Sequence, residues 1–411
     1  MRRPIAIVSL FIALALAATA CSGSKIALSA DADKPWKQIV ADARGETVDL
    51  WMYGGDERGN AYVDHVLAPA AAKLGVRLRR VPVADTKDAM RRILAQKAAN
   101  KTTGDVDLVW VNGDNFSTGR QADAWLCGWS QRLPNMRYVA KDDPLVREDF
   151  GTNVNGCESP WHKAQFAFAY DSARIANPPT SFDALLSWAK AHPGRFTYPA
   201  PPDFTGSVFV RQALYAVSGG AQQVPTTFDR SDFTKLSPAL WKTLADLKPS
   251  LWRQGRTYPR DEAALNRLYA DGEVDMTMTY GPSTLTDLVS KGTFPKTTRV
   301  LTLSSGTVGN ASFLGIPSTS IDSAGAMVVA NLALSPQQQA AKADPKVWGQ
   351  FTVLDQTLLP ARAQRLFDKL PRSTVVPPYQ VLAKHADPEL SSAWVTPLDE
   401  GWRREVLGAG S

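Results

Sequence analysis

The chain has little of what metal and thiol chemistry needs. Of 411 residues only 3 are cysteine and 4 are histidine. The histidines, His65, His162, His192 and His385, are scattered, and no H-E-x-x-H sets two on one helical face. No G-x-S-x-G elbow and no Walker loop occurs. A Ser-His-Asp set can still assemble from distant segments, so the missing motif alone does not exclude hydrolysis. Charge of one sign is also scarce. Lys and Arg total 46 against 40 Asp and Glu, a net +6 with no block of like charge. That leaves no nucleic-acid footprint. With 44% hydrophobic and 21% charged residues the chain is not a disordered one. No repeat of about 20–50 residues is visible, which argues against solenoids and propellers. Tryptophan is the residue in surplus: 12 of them offer large flat surfaces, to a core or to a ligand.

The first residues address the compartment. Arg2 and Arg3 precede an apolar run, Ile5 to Ala20, shorter than the roughly 20 residues of a spanning helix. The run ends in Ala18-Thr19-Ala20-Cys21, which resembles a bacterial lipobox with Ala18 where Leu is usual. The pattern predicts a signal peptide over 1–20 and a palmitate-bearing lipid anchor on Cys21. An ordinary signal peptide cut after Ala20 is the alternative. Residues 21–35 read as a lipidated tether. No later run is long enough to span a membrane. The expected location is the cell envelope, periplasm or outer face of the cell membrane. The two remaining cysteines, Cys127 and Cys157, allow a disulfide or two buried thiols.

Beyond the tether, strand and helix patterns alternate. Val48–Tyr53 reads as a strand, 60–74 as a helix ended by Gly75, and 76–83 as a strand with one wet face. A helix over 85–99, capped by Asp85, and a strand at Asp107–Val111 complete β-α-β-α-β, the opening of a parallel sheet. A second set follows. It has a strand at 165–170, a helix over 181–192, a short strand at 196–198, helices over 207–217 and 261–271, and a strand at 274–280. From Ser323 the pattern is mostly helical, broken by Pro336, Pro345, Pro360 and Pro371. The fold class is α/β: two lobes joined by hinge strands near 165–172 and 311–317, with a helical C-terminal segment. Lobe 1 is expected over 36–165 plus about 306–335, and lobe 2 over about 166–305 plus 336–411.

Ligands of open parallel sheets bind beyond the carboxyl ends of the strands. The loops there are Tyr53-Gly54-Gly55-Asp56, Asn112-Gly113-Asp114-Asn115-Phe116, Asp203-Phe204-Thr205-Gly206-Ser207, Tyr280-Gly281-Pro282-Ser283 and Gly306 to Asn310. Each joins glycine to a polar or aromatic group. The ligand-binding candidates are Tyr53, Asp56, Asn112, Asp114, Trp161, Asp203, Thr205, Ser207, Tyr280 and Asn310. Turn and capping duty accounts for the acids equally well. Thr205-Gly206-Ser207, at a helix start, suits either an anion or a plain cap. Trp51 and Trp110, inside strands, read as core. Trp161, Tyr53, Phe116 and Tyr280 are better placed to face a cleft. Aromatic faces beside Asp56, Asp114, Glu158 and Asp203 would suit a cation or a heteroaromatic ring. No metal or cofactor site is expected.

Several segments carry a family resemblance. Ser323-Ala-Gly-Ala-Met-Val-Val-Ala-Asn-Leu-Ala-Leu-Ser-Pro-Gln-Gln-Gln-Ala340 and Asp271-Gly-Glu-Val-Asp275 are similar to patterns of the solute-binding proteins of bacterial ABC importers. Trp110-Val-Asn-Gly-Asp-Asn-Phe116, Leu186 to Phe196 and Leu251-Trp-Arg-Gln-Gly-Arg256 resemble an orphan branch of the thiamine, iron(III) and polyamine cluster. The resemblance covers about residues 45–360. It implies a type II periplasmic-binding-protein-like fold that closes on a small polar organic solute by hinge motion. It further implies a monomer without catalysis, whose partners are a permease, its ATPase and, through the anchor, the membrane. Thiamine-like and polyamine-like solutes both stay open. Iron recognition in that cluster uses adjacent tyrosines, whereas Tyr280 is followed by Gly281. An exported hydrolase and a protein-binding lipoprotein are the alternatives.

Overall fold

The computed structural model describes Asp31 and residues 33–408. The expected signal peptide, Cys21 and most of the tether lie outside the described residues. Two hydrophobic cores divide the chain. The first gathers side chains from Ile39 to Trp161 and from Ala311 to Phe367. The second takes those from Phe166 to Val308 and from Val375 to Val406. The chain crosses between them three times: at 161–166, along the strand Thr307–Gly315, which has Val308 in the second core and Ala311 in the first, and between Phe367 and Val375.

The first lobe is built on a sheet in the order Arg77–Val83, Thr47–Tyr53, Leu108–Val111, Thr307–Gly315, Glu158–Gln165. The first three strands are parallel. Thr307–Gly315 runs antiparallel to both of its long neighbours. Its first residues also pair with Ala386–Asp387. Val48, Leu50 and Met52, which share one face of their strand, have no exposed surface, whereas Thr47 and Trp51 on the other face are half-buried. The edge strand exposes Arg77 and Arg79 and carries Pro82, all of which discourage further pairing. The second lobe has a smaller antiparallel sheet in the order Met276–Thr279, Ala167–Asp171, Thr298–Val300. Aspartates cap its helices in the usual way: Asp203 accepts from the Gly206 N–H and Asp261 from the Ala264 N–H.

Four expectations change. The helix placed at 60–74 begins at Glu57, because Asp56 caps it. Residues 196–198 form no strand: Phe196 accepts from the loop residue Trp252 instead of joining a ladder. Glu158–Gln165 is a full strand that the reading began only at its last residue. The segment 336–370 packs with the first lobe, not the second, because Ala340, Trp348, Val353 and Phe367 enter the first core. Cys127 and Cys157 are joined in a disulfide inside that core. Among the described residues no helix is long and apolar enough to cross a membrane.

Candidate functional site

The lobes meet along a polar seam. At its rim Arg58, behind strand Thr47–Tyr53, pairs with Asp287 of the second lobe at 2.5 Å. Lys291 reaches back to Glu57 at 3.9 Å. Deeper in, the tip of the first lobe presents Asp149 and Phe150. Gly113, with φ of +61°, turns the chain after strand Leu108–Val111 and donates its N–H to Asp149 Oδ1 at 2.7 Å. A side chain on Gly113 would press on the Phe150 ring. Phe150 itself holds φ at +46°, a conformation that costs a bulky residue about 1–3 kcal/mol. Its ring lies 5.9 Å from the Arg211 guanidinium of the second lobe, within range of a cation–π contact.

Arg211 is 1% exposed and interrupts an otherwise apolar stretch of the helix Phe204–Val217. Burial alone would lower its pKa, but Glu389 outweighs that and raises it. The guanidinium makes two 2.8 Å bonds to the Glu389 carboxylate and one of 2.9 Å to Ser207 Oγ. Tyr280 donates its hydroxyl to the same carboxylate at 3.1 Å. Ser207 donates onward to Asp399 at 2.7 Å. Burial raises the Asp399 pKa, against the pull of Ser207 and of nearby cations that include Lys87 of the first lobe.

Acids outnumber bases here. Asp149, Glu389 and Asp399 converge, and Arg211 is the buried cation among them. Asp149 is 1% exposed and its Oδ2 has no hydrogen-bond partner. Burial pushes its carboxyl up to about 8, the Gly113 N–H works the other way, and the Glu389 charge adds to the rise. Behind it stands Glu158, fully buried with both carboxylate oxygens unpartnered. Burial, then the Asp149 charge, hold its pKa well above the ordinary range, with Arg120 pulling the other way. Unpaired buried carboxylates are costly unless they hold a proton or meet a cation.

The sequence candidates divide. Ser207 and Tyr280 belong to the seam network just described. Asp114 opens the helix after Gly113 and is exposed, and Asn112 beside it is half-buried. Tyr53 is 46% exposed at the end of its strand. Asp56 caps its helix and accepts from the Trp348 indole at 2.8 Å. Asp203 is a helix cap whose pKa burial raises. Thr205 donates to Glu262 at 2.6 Å. The hydroxyls of Thr205 and Ser207 are thus committed to carboxylates, and an anion at that helix start would face three acids, so the plain cap is the reading that stands. Trp161 is wholly buried in a ring cluster with Trp110, His162 and Trp348. Trp110, expected in the core, is only partly covered. Phe116, expected at the cleft, is buried against Trp125. Asn310 is buried with both amide atoms unpartnered.

Sequence reasoning missed Asp149, Phe150, Arg211, Glu389 and Asp399. Only Arg211 left a signal: a charge inside the run Val208-Phe-Val-Arg-Gln-Ala-Leu214 requires a buried partner. Two open depressions, of about 390 Å3 beside Gln131 and about 410 Å3 beside Arg253, each lie on one lobe and include no sequence candidate.

The model of the family described as bacterial extracellular solute-binding protein matches residues 66–366. Protein YnjB of Escherichia coli strain K12 is 38% identical over 369 residues, 89% of this chain and 92% of that protein. Two solved structures share the fold. One is an ABC transporter structure from Clostridium perfringens, with TM-score 0.62, 15% identity, 87% of this chain and 98% of that one covered. The other is PotD, the spermidine/putrescine ABC transporter substrate-binding protein of Streptococcus pneumoniae, with TM-score 0.62, 12% identity, 88% and 99% covered. The chain belongs to the bacterial extracellular solute-binding protein family, and its α/β architecture is the two-lobed periplasmic-binding-protein fold.

Proposed function

We propose that this chain is the solute-binding component of an ABC importer and that its lobes close on a small cationic organic solute, polyamine-like or thiamine-like, for delivery to a permease and its ATPase. The observation that carries the cation is Asp149: a buried carboxylate with a free oxygen, facing Glu389 across the seam. An ammonium or thiazolium-like charge would neutralise it, and the neighbouring Phe150 ring and the Tyr280 ring bonded to Glu389 supply aromatic faces. The name of PotD gives the same direction for a protein of like fold. Recognition of this kind needs no bond-making, and family membership favours it over hydrolysis. The polar character of the seam counts against a lipoprotein that buries another protein there. Export by residues 1–20 and anchoring through Cys21 belong to the same proposal.

A thermal-shift panel tests it. Spermidine, putrescine, thiamine, a neutral sugar and a sulfonate are added to the folded protein at millimolar concentration. A ligand at 100 times its Kd stabilises the native state by about 2.7 kcal/mol. The proposal expects a rise in melting temperature with at least one cationic solute, greatly reduced in Asp149→Asn. A rise with the neutral or anionic compounds alone would sink the cationic reading.

A further inference from the structure

We propose that the edge of the ring cluster formed by Trp161, His162, Asn310 and Lys342 is a second subsite of the seam, one that receives an oxyanion group of the solute. It rests on the reading of the seam as the solute site and adds a charge requirement to it. The starting point is a set of buried polar atoms without partners. Trp161 has no exposed surface, His162 is 3% exposed and Asn310 5%. Yet the Trp161 indole N–H, the His162 Nδ1 and both amide atoms of Asn310 lack any hydrogen-bond partner. An indole nitrogen can only donate. Buried groups of this kind are nearly always satisfied, so the Trp161 indole and the Asn310 amide N–H groups lack an acceptor from outside the chain, while the Asn310 oxygen lacks a donor.

Lys342 supplies the charge. Its side chain is fully buried and donates to the Trp161 carbonyl. The amine lies 5.9 Å from the Trp161 ring centroid. Burial holds its pKa well below the lysine range, and no carboxylate counters that among the described residues. The complement of several N–H donors and a latent cation is a compact group made of acceptors, with negative charge: a carboxylate or a phosphate. A flat ligand slotted between the rings is ruled out by their packing. Trp161 and Trp348 lie 5.2 Å apart between centroids, and His162 and Trp348 5.1 Å, both edge to face. What fits is a group at the polar edges of the rings.

Two connections tie the cluster to the seam. His162 lies opposite Ser312, and Ala164 opposite Asn310, so His162 and Asn310 share a face of the two crossing strands. Val308, two residues before Asn310, donates its N–H to Gln212, the neighbour of Arg211. Trp348 donates to Asp56, and Arg58 close by is the residue that pairs with the second lobe. With acids at Asp149 and Glu389 and donors here, a cation that also carries a carboxylate or phosphate fills both subsites, and a plain cation such as a polyamine fills the acidic one alone.

The direct readout is the indole N–H of Trp161 in a 15N-correlated NMR spectrum. Trp161→Phe keeps a ring and removes that N–H, which assigns the resonance. Wild-type protein is titrated with sodium phosphate and with sodium acetate, against sodium chloride at matched ionic strength. The proposal expects the Trp161 resonance to shift and saturate with at least one oxyanion, and the shift to disappear in Lys342→Met. The acetate and phosphate arms tell a carboxylate subsite from a phosphoryl one. A resonance that moves no further with either oxyanion than with chloride overturns the proposal, and places ordered water at the donors instead. The two readings fail separately: cationic probes that never bind to the wild type, with the Trp161 shift retained, would defeat the cationic reading and keep the subsite, and a cation that binds without any oxyanion shift would do the reverse.

Discussion

Asp149 ties stability to pH in a direction opposite to most carboxylates. Its ordinary value is 3.8 and in the folded protein it stands at about 8, so the native state holds this proton more tightly than the unfolded chain. Its contribution is therefore complete below about pH 4 and drains away as the pH rises towards 8. The ligand-free melting temperature should fall between pH 5 and pH 8, and fall less in Asp149→Asn. Equal slopes in the two proteins would mean that Asp149 is not the protonated group. Glu158 and Glu389 lie within its field, and Glu389 is itself paired with the buried Arg211, so the variant isolates one member of a coupled set. Trp161 changes meaning at this scale. From the sequence it was a cleft aromatic, whose removal would spare the fold. Its complete burial in a ring cluster predicts instead that Trp161→Ala costs about 3–5 kcal/mol in urea denaturation. A loss under 1 kcal/mol would show that the ring cluster contributes little to the fold.

Elements were legible where periodicity and caps agree. Strand Thr47–Tyr53 and the helices capped by Asp85 and Ser181 lie within one or two residues of their sequence positions. Glu158–Gln165 was not legible, for a physical reason. Seven of its eight residues are buried, so Glu-Ser-Pro-Trp-His-Lys-Ala-Gln shows no alternation, and a bulge lets Trp161 drop out of register. The residues that make the seam were hidden for a related reason. Asp149 and Glu389 sit in segments with no pattern of their own, and their significance comes from what crosses the seam to meet them. The Cys127–Cys157 bond joins the segment before that strand to the segment after helix Asp114–Gln121. Replacing both cysteines by alanine should cost about 2–5 kcal/mol. A variant as stable as the parent in oxidising buffer would show that the surrounding core suffices.

At the scale of the whole molecule, the two lobes and the two crossings through strands follow from the order of strands, whereas the stay of 336–370 in the first lobe and the third crossing after Phe367 do not. That segment is helical and proline-broken, and only its apolar side chains, Trp348 above all, reveal which core they enter. Closure has a clasp at the rim, Arg58 with Asp287, and the Pro345 carbonyl of the first lobe holds the same guanidinium in place. Arg58→Ala should favour the open form, read as a larger radius of gyration by small-angle scattering and a weaker solute affinity. An unchanged radius would mean that the deeper contacts hold the lobes together. The central claim is that a cation is captured between the lobes, and calorimetric titration of spermidine, putrescine and thiamine into the wild type and Asp149→Asn tests it most directly. The account predicts saturable binding of at least one in the wild type, with proton release as Asp149 ionises, and at least tenfold weaker binding in the variant. Equal affinity in the two proteins, or no binding of any of the three to well-folded wild type, would contradict it.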